Sequence, residues 1–446
     1  MIRAAACALL LAASLSGVAA EAGDEDGATV YSLEDCIRIG LERSAAAANA
    51  ARDREIADTR ITQARSEAVP GIALSAGYTR LDELQEIDLG DEVTELGSLN
   101  NYELTAEVNQ LLYSGGRVKA ALKAAGQSRE YADWSKAETE AALVRDVRVG
   151  FYDILFAAAA VEVRRESVAQ LTALLQQSRD KFGKGTASEF EALTSEVGLA
   201  NEKPRLIRAV NTHELAVESF RKLINLDEAN AEFSGELVFE PFQADEESVL
   251  AEALANRAAL RAAEAVVRLR REDLTAARSG MLPDLRAYFL YSGANSYRFV
   301  SFDDQWEWHW NAGLVFNWPL WDGGLTVGKV REKRLEVEKS RTNLKDLERA
   351  VRLEVRRALL DLRYAEQAAA SGRDNVALAE KALAIAKTRY DAGLATRLDV
   401  SDANLALNTA RLNWRLALRD HMAARAELDY ARGRGVEPPQ PGEDEE

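Results

Sequence analysis

The chain has 446 residues, 47% hydrophobic and 29% charged, enough to bury a large core and, by length, to hold two or more domains. Its formal net charge of −17 argues against nucleic acid as a partner. Alanine, leucine, glutamate and arginine dominate, which is the composition of long helices.

Residues 1–20 place one early charge, Arg3, before an apolar run from Ala4 to Leu15, and end on Val18-Ala19-Ala20, small residues where a signal peptidase cuts. They are expected to be a secretory signal, followed by a short tail over 21–31. Cys7 lies inside that apolar run, so Cys36 is the one cysteine expected in the mature protein, and no internal disulfide is expected. Beyond the signal there is no run of about 18 apolar residues, so a membrane would have to be crossed by strands.

An internal duplication organises residues 32–433. Ala64-Arg65-Ser66 with Pro70 returns as Ala277-Arg278-Ser279 with Pro283, 213 positions later, and Leu112-Tyr113-Ser114-Gly115-Gly116 returns as Leu320-Trp321-Asp322-Gly323-Gly324, 208 positions later. A period this long marks two copies of one large unit, not a solenoid. Each copy is expected to open with a helix, over 32–69 (Ser32 and Asp35 forming a capping box) and over 248–282. Each helix stops at a proline, and alternation then begins. Strands are expected within 70–112 and 284–320, two per copy, the second pair being Tyr102 to Leu112 and Trp310 to Leu320. The polar loops between them are expected over Asp82 to Asn101, rich in acids, and over Ser292 to Gln305.

The stretch from Trp306 to Gly324 shows the environment most plainly. Trp306, Trp308, Trp310, Ala312, Leu314, Phe316, Trp318 and Leu320 share one face, while Glu307, His309, Asn311 and Asn317 share the other. Tryptophan at both ends of an apolar band is the pattern of a transmembrane strand with aromatic girdles, formed here by Trp306, Trp308, Trp310, Trp318, Trp321 and the matching Tyr113. A soluble sandwich strand is the competing reading. Each Gly-Gly then releases the chain into a helical hairpin, over 117–226 and 325–432, whose apolar seam in the first copy runs Val144, Val147, Phe151, Ile154, Ala158, Val161. Residues 227–247 link the copies, Pro204 should kink the first return helix, and 433–446 reads as a disordered acidic tail. Four strands cannot close a barrel, and open edges in hydrocarbon leave backbone groups unsatisfied. Two, three or four chains would give closed barrels of even strand number.

The order signal, helix, strand, strand, long helix, tip and return helix, twice over, resembles the TolC family of outer-membrane efflux and export channels. The hairpin tips resemble it most: Phe182-Gly183-Lys184-Gly185-Thr186-Ala187-Ser188 and Tyr390-Asp391-Ala392-Gly393-Leu394-Ala395-Thr396, followed by Asp399-Val400. The family's Leu-x-x-Asn-Pro lacks its proline at Ala253-Leu254-Ala255-Asn256-Arg257, and lacks both asparagine and proline at Gly40-Leu41-Glu42-Arg43-Ser44. The resemblance implies a mainly α chain with a transmembrane β part, and a homotrimer with a 12-stranded barrel and a 12-helix periplasmic tunnel. Implied partners are a periplasmic adaptor (membrane fusion) protein, an inner-membrane pump of RND or ABC type, and outer-membrane lipid. The rival is a periplasmic coiled-coil scaffold or adhesion protein without channel activity.

The resemblance also implies a periplasmic gate at Asp399 and Asp402, with Glu191 and Thr194 at the corresponding positions of the first copy. Thr396 with Asp399, and Ser188 with Glu191, are also capping boxes, so an acid there has a structural use. Asp402 is not needed for a cap. The tips Gly185, Thr186, Ala187, Gly393, Leu394 and Ala395 are small enough to meet an adaptor hairpin, although the glycines also serve the reversal itself. The three histidines, His213, His309 and His421, are far apart in sequence, so no metal or other cofactor is expected, and no nucleophile–base pair points to an enzyme.

Overall fold

The computed structural model describes residues 29–88, 93–96, 98–228, 230–242, 245–295 and 306–434. The expected signal segment, most of the 292–305 loop and the tail beyond 434 lie outside them.

The first copy runs β1 (Thr29–Tyr31), α1 (Leu33–Arg43), α2 (Ala45–Ser66), β2 (Gly71–Arg80), β3 (Gln85–Asp88), β4 (Val93–Leu96), β5 (Asn100–Tyr113), α3 (Arg117–Gly183) and α4 (Glu189–Ile224). After β6 (Ala231–Phe233), the second copy runs α5 (Glu246–Asn256), α6 (Ala258–Ser279), β7 (Asp284–Ala294), β8 (Glu307–Asn317), α7 (Leu325–Asp391) and α8 (Arg397–Ala431). The duplication holds in three dimensions: α1 and α5 have 11 residues each, α2 and α6 have 22, and α3 and α7 have 67. At 1.5 Å per residue the last pair reaches ~100 Å.

Several expectations need correction. The opening helix of each copy is two helices, not one. Ser44 (φ −63°, ψ 146°) ends α1 and starts α2, its Oγ accepting from the Ala47 N–H, and Arg257 (φ −64°, ψ 116°) breaks the second copy at the matching place. Neither break carries a proline or a glycine. The first helix of the second copy starts at Glu246, two residues before the expected 248, with Asp245 as its cap. The acidic loop of the first copy contains the β3–β4 hairpin, and Ser292 belongs to β7. The fourth strand begins three residues early and stops at Asn317, because Pro319 has no N–H to continue the ladder and its partner β7 starts just after Pro283. The seam of α3 passes through Ala157, which is buried, and not through Ala158, which is exposed. Pro204 lies inside the unbroken helix α4, as the sequence placed it.

The main sheet has four antiparallel strands in the order β2-β5-β7-β8. Each two-residue glycine turn after it is left-handed, Gly115 and Gly116 at φ 61° and 89°, Gly323 and Gly324 at 69° and 90°, so only glycine starts α3 and α7 cheaply. Helix α3 packs against α2, α4, α6 and α8, whereas α7 makes its main contacts with α8, α6 and α5. Two matching apolar cores lie where the short helices cross the long ones. One joins Cys36, Ile39, Val147, Phe151, Phe220 and Ile224; the other joins Val249, Ala253, Val355, Leu359, Leu362 and Leu428. Among the described residues no helix is long and apolar enough to cross a membrane.

Candidate functional site: the sheet and the hairpin tips

Strand register divides the sheet into two unlike faces. On one face, rows run Ile72–Val108–Phe289–Ala312, then Leu74–Ala106–Tyr291–Trp310, then Ala76–Leu104–Gly293–Trp308. On the other face the rows are Ala73–Glu107–Leu290–Asn311, Ser75–Thr105–Ser292–His309 and Gly77–Glu103–Ala294–Glu307. The apolar face is uncovered: Ile72 is 80% exposed, Leu74 73% and Trp310 67%. A soluble protein would bury such a surface, because burial is favourable by roughly 25 cal/mol per Å².

The aromatic residues gather at the two ends of this face. Trp306 and Trp308 stack at 5.8 Å, Tyr291 and Trp308 at 5.2 Å, and Tyr78 meets Tyr102 at 5.1 Å. Trp308 lies over Gly293, where an added Cβ would come within 2.6 Å of its ring. At the other end Trp318, whose Nε1 donates to the Met281 carbonyl, stands with the exposed Trp321 and Tyr113. The ten residue steps from Trp308 to Trp318 span roughly 33 Å along the strand, or ~25 Å once tilted by ~40°, the height of an outer-membrane apolar band. The edges β2 and β8 have no partner strand among the described residues.

The hairpin tips reverse in the same way twice. Gly185 (φ 72°) donates to the Phe182 carbonyl and Thr186 N–H to that of Lys181; Gly393 (φ 73°) donates to Tyr390 and Leu394 N–H to Arg389. This paired bonding with a left-handed glycine closes each helix. Nothing stands within 4 Å of a Cβ added at Gly185 or Gly393, so backbone conformation, not crowding, requires glycine there.

The four gate candidates fall into different environments. Asp399 completes a capping box: its Oδ2 accepts from Thr396 N–H at 2.7 Å and from Thr396 Oγ1 at 2.8 Å, and this hydrogen bonding holds its carboxyl below the usual aspartate range. Asp402, one turn on, is exposed and has no ion pair or hydrogen bond among the described residues. Thr194 Oγ1 turns back to the carbonyls of Phe190 and Glu191. Ser188 Oγ accepts from Glu191 N–H, but the reciprocal half of the expected capping box is missing, because the Glu191 carboxylate is bound elsewhere. Tyr390 Oη donates to Glu191 Oε1 at 2.8 Å, tying the end of α7 to the start of α4. Burial first, and then this bond, push the Tyr390 phenol up to about 12. Lys181 Nζ sits 4.0 Å above its ring. Sequence reading quoted Tyr390 only as part of a tip motif; the contact joins residues 199 apart, which no local pattern reveals.

Comparison with known proteins agrees with this geometry. The sequence profile of the outer membrane efflux protein family matches residues 37–226 and 249–434. Outer membrane protein TolC of Salmonella enteritidis is 24% identical over 451 residues, covering 95% of this chain and 85% of that one. TolC of Escherichia coli K12 is 24% identical over 431 residues, covering 90% and 81%. Among solved structures, the Campylobacter jejuni CmeC outer membrane channel superposes with a TM-score of 0.79 at 15% identity over 92% of this chain and 87% of that one. The Neisseria gonorrhoeae MtrE outer membrane channel does so with a TM-score of 0.74 at 19% identity, covering 90% and 89%. With both halves of the duplication matched, the chain belongs to the outer membrane efflux protein family, the TolC-type channel-tunnels of the Gram-negative outer membrane.

Proposed function

We propose that three copies close the four-stranded sheets into one 12-stranded barrel and their hairpins into one tunnel, forming a passive exit duct that docks to a periplasmic adaptor and an inner-membrane pump of RND or ABC type. The observation that carries this reading is the sheet itself: an exposed apolar face, aromatic at both ends, with two edges unpaired among the described residues. Lipid satisfies the face, and only pairing of β8 with β2 of another copy satisfies the edges. The duplication supplies a second argument. Helix α3 packs its flank on α6 and α8, and the matching flank of α7, with Leu353 70% and Leu360 55% exposed, has no extended packing on α2 or α4 of its own chain. Helices α2 and α4 of a neighbour would supply it.

Energy for export comes from the pump, since the duct needs only to bind cargo weakly and let it pass. In this reading the tips Gly185, Thr186, Ala187, Gly393, Leu394 and Ala395 meet the adaptor, and Asp402, three per trimer, forms the acidic constriction, with Asp399 just outside it as the helix cap. The test is single-channel conductance of the detergent-extracted mature protein in a planar bilayer. Small cation-selective openings support the duct. Failure to insert, together with solubility after detergent removal, would leave a periplasmic scaffold instead.

A further inference from the structure

Along α7, Arg341, Lys345, Arg349, Arg352 and Arg356 step by three and four on one face, and all are exposed. None of them forms an ion pair or a side-chain hydrogen bond among the described residues. Like charges at this spacing disfavour a helix, and the chain as a whole carries −17. Such a run needs an acidic partner, and the duplication indicates which one.

Inside the chain, α3 meets the α5–α6 break across a cleft of about 900 Å³ lined by Glu130, Ala137 and Ala141 on one side and Arg257, Arg261 and Arg268 on the other. Here the cations stand on the short helices, and the long helix brings alanines together with the acids Glu130 and Glu138. Arg257 crosses to Glu138 and Glu354, both at 3.1 Å, and Arg268 to Glu130. The repeat register is fixed on both sides of this cleft. Equal element lengths align α1–α2 with α5–α6 at 213, and the left-handed residues Asn225 (φ 55°) and Gly433 (φ 73°) match at 208.

Carried across that register, part of the pattern reverses. Ala137 and Ala141 become Lys345 and Arg349, while Arg257 and Arg261 become Ser44 and Ala48. Ala255 and Arg268, which also line the cleft, become Glu42 and Glu55. Both glutamates are exposed, and neither forms an ion pair among the described residues. Part of the charge therefore changes sides: the long helix gains Lys345 and Arg349 where α3 has alanines, and the short helices lose Arg257 and Arg261 and gain Glu42, while Glu130 and Glu138 of α3 stay acidic as Glu338 and Asp346.

We propose that Lys345 and Arg349 of one copy pair with Glu42 of the next, sealing each junction between copies with charges of the opposite polarity to the Arg257 seam within a copy. This rests on the ring of copies argued above.

The experiment compares full-length mature proteins extracted in detergent, by multi-angle light scattering after size exclusion and by the temperature at which the oligomer dissociates. Wild type is expected as a trimer, Lys345→Glu with Arg349→Glu as a monomer, and the combination of these with Glu42→Lys as a trimer again. All three positions are exposed on helices, so far-ultraviolet circular dichroism should not change. An unchanged trimer with the same dissociation temperature in the Lys345→Glu, Arg349→Glu protein would overturn the pairing and leave the ring standing. Failure of Glu42→Lys to restore the trimer would also overturn it. A monomeric wild type would remove the ring reading and this proposal together.

Discussion

Tyr390 and Glu191 join the two hairpins of one chain at their tips through a single 2.8 Å hydrogen bond from phenol to carboxylate. The bond spans two helix ends, so it resists their separation at the end of the tunnel where the cargo would enter. A part-buried hydrogen bond to a charged acceptor contributes about 1.5 kcal/mol or more. Tyr390→Phe keeps the ring and its Lys181 contact and removes only the bond. Its loss is expected to shift the closed–open balance roughly ten-fold toward open, seen as larger or more frequent openings in a planar bilayer with an unchanged helical spectrum. Alkali should act in the same direction. The phenol is raised from its ordinary 10.0 to about 12, so the stabilisation is complete below pH 10 and is lost as pH rises through that window.

Asp399 and Asp402 lie one turn apart but are held differently, and two alanine variants separate their roles. Asp399 bonds to the N–H and hydroxyl of Thr396, so Asp399→Ala should loosen the start of α8, read as faster amide exchange over 397–403. Asp402 makes no such bond, so Asp402→Ala should leave exchange unchanged and lower the preference for cations over anions in bilayer recordings. Equal selectivity in wild type and Asp402→Ala would remove it from the constriction. The capping carboxyl is depressed below its ordinary 3.8, so its contribution is present above that value and is lost as pH falls below it.

What sequence reading captured and missed follows from the range of each signal. Alternation, helical periodicity and glycine turns are local, and they placed the four main strands and the long helices. No proline or glycine marks the Ser44 and Arg257 breaks; Ser44 caps α2 locally through its Oγ, whereas Arg257 makes no side-chain cap and its ties are long-range. Arg257 turns out to reach residues of α3, α7 and α8 at once. The Glu191 side chain was expected to cap its own helix and instead serves Tyr390, because a phenol from the other hairpin outcompetes the local backbone N–H. Pro319 was in plain view, yet its effect on β8 depends on the partner strand ending at Pro283.

The Arg257 cluster should be the most sensitive place outside the membrane. Its guanidinium is 5% exposed, stacks 3.7 Å from the Tyr430 ring, donates to the Tyr430 carbonyl, and binds Glu138 and Glu354. Its partners Glu138 and Glu354 keep 23% and 39% exposure, so stranding them should cost less than the roughly 3–5 kcal/mol of a fully buried pair. Arg257→Ala is expected to lower the melting temperature of the extracted protein markedly. Arg257→Met, which keeps the stacking volume, should be nearly as costly, since the loss lies in the stranded carboxylates. A mild effect from both would mean that water replaces the guanidinium.

His421 gives the remaining prediction, an acid-labile joint between the linker and α8. The ring is 3% exposed, lies 5.0 Å from that of Phe239, and faces Glu240, Glu366 and Arg425. Burial disfavours the charged imidazolium and outweighs the attraction of the glutamates, so its pKa falls below the ordinary 6.5. A depressed value means that the neutral ring's contribution is present above pH 6.5 and is lost as pH falls below it, when the unfolded chain takes up the proton more readily. Wild type should therefore lose melting temperature between pH 7 and pH 5, and His421→Leu, of similar bulk and unable to titrate, should lose less of it. Parallel curves for the two proteins would show that acid acts elsewhere in the protein.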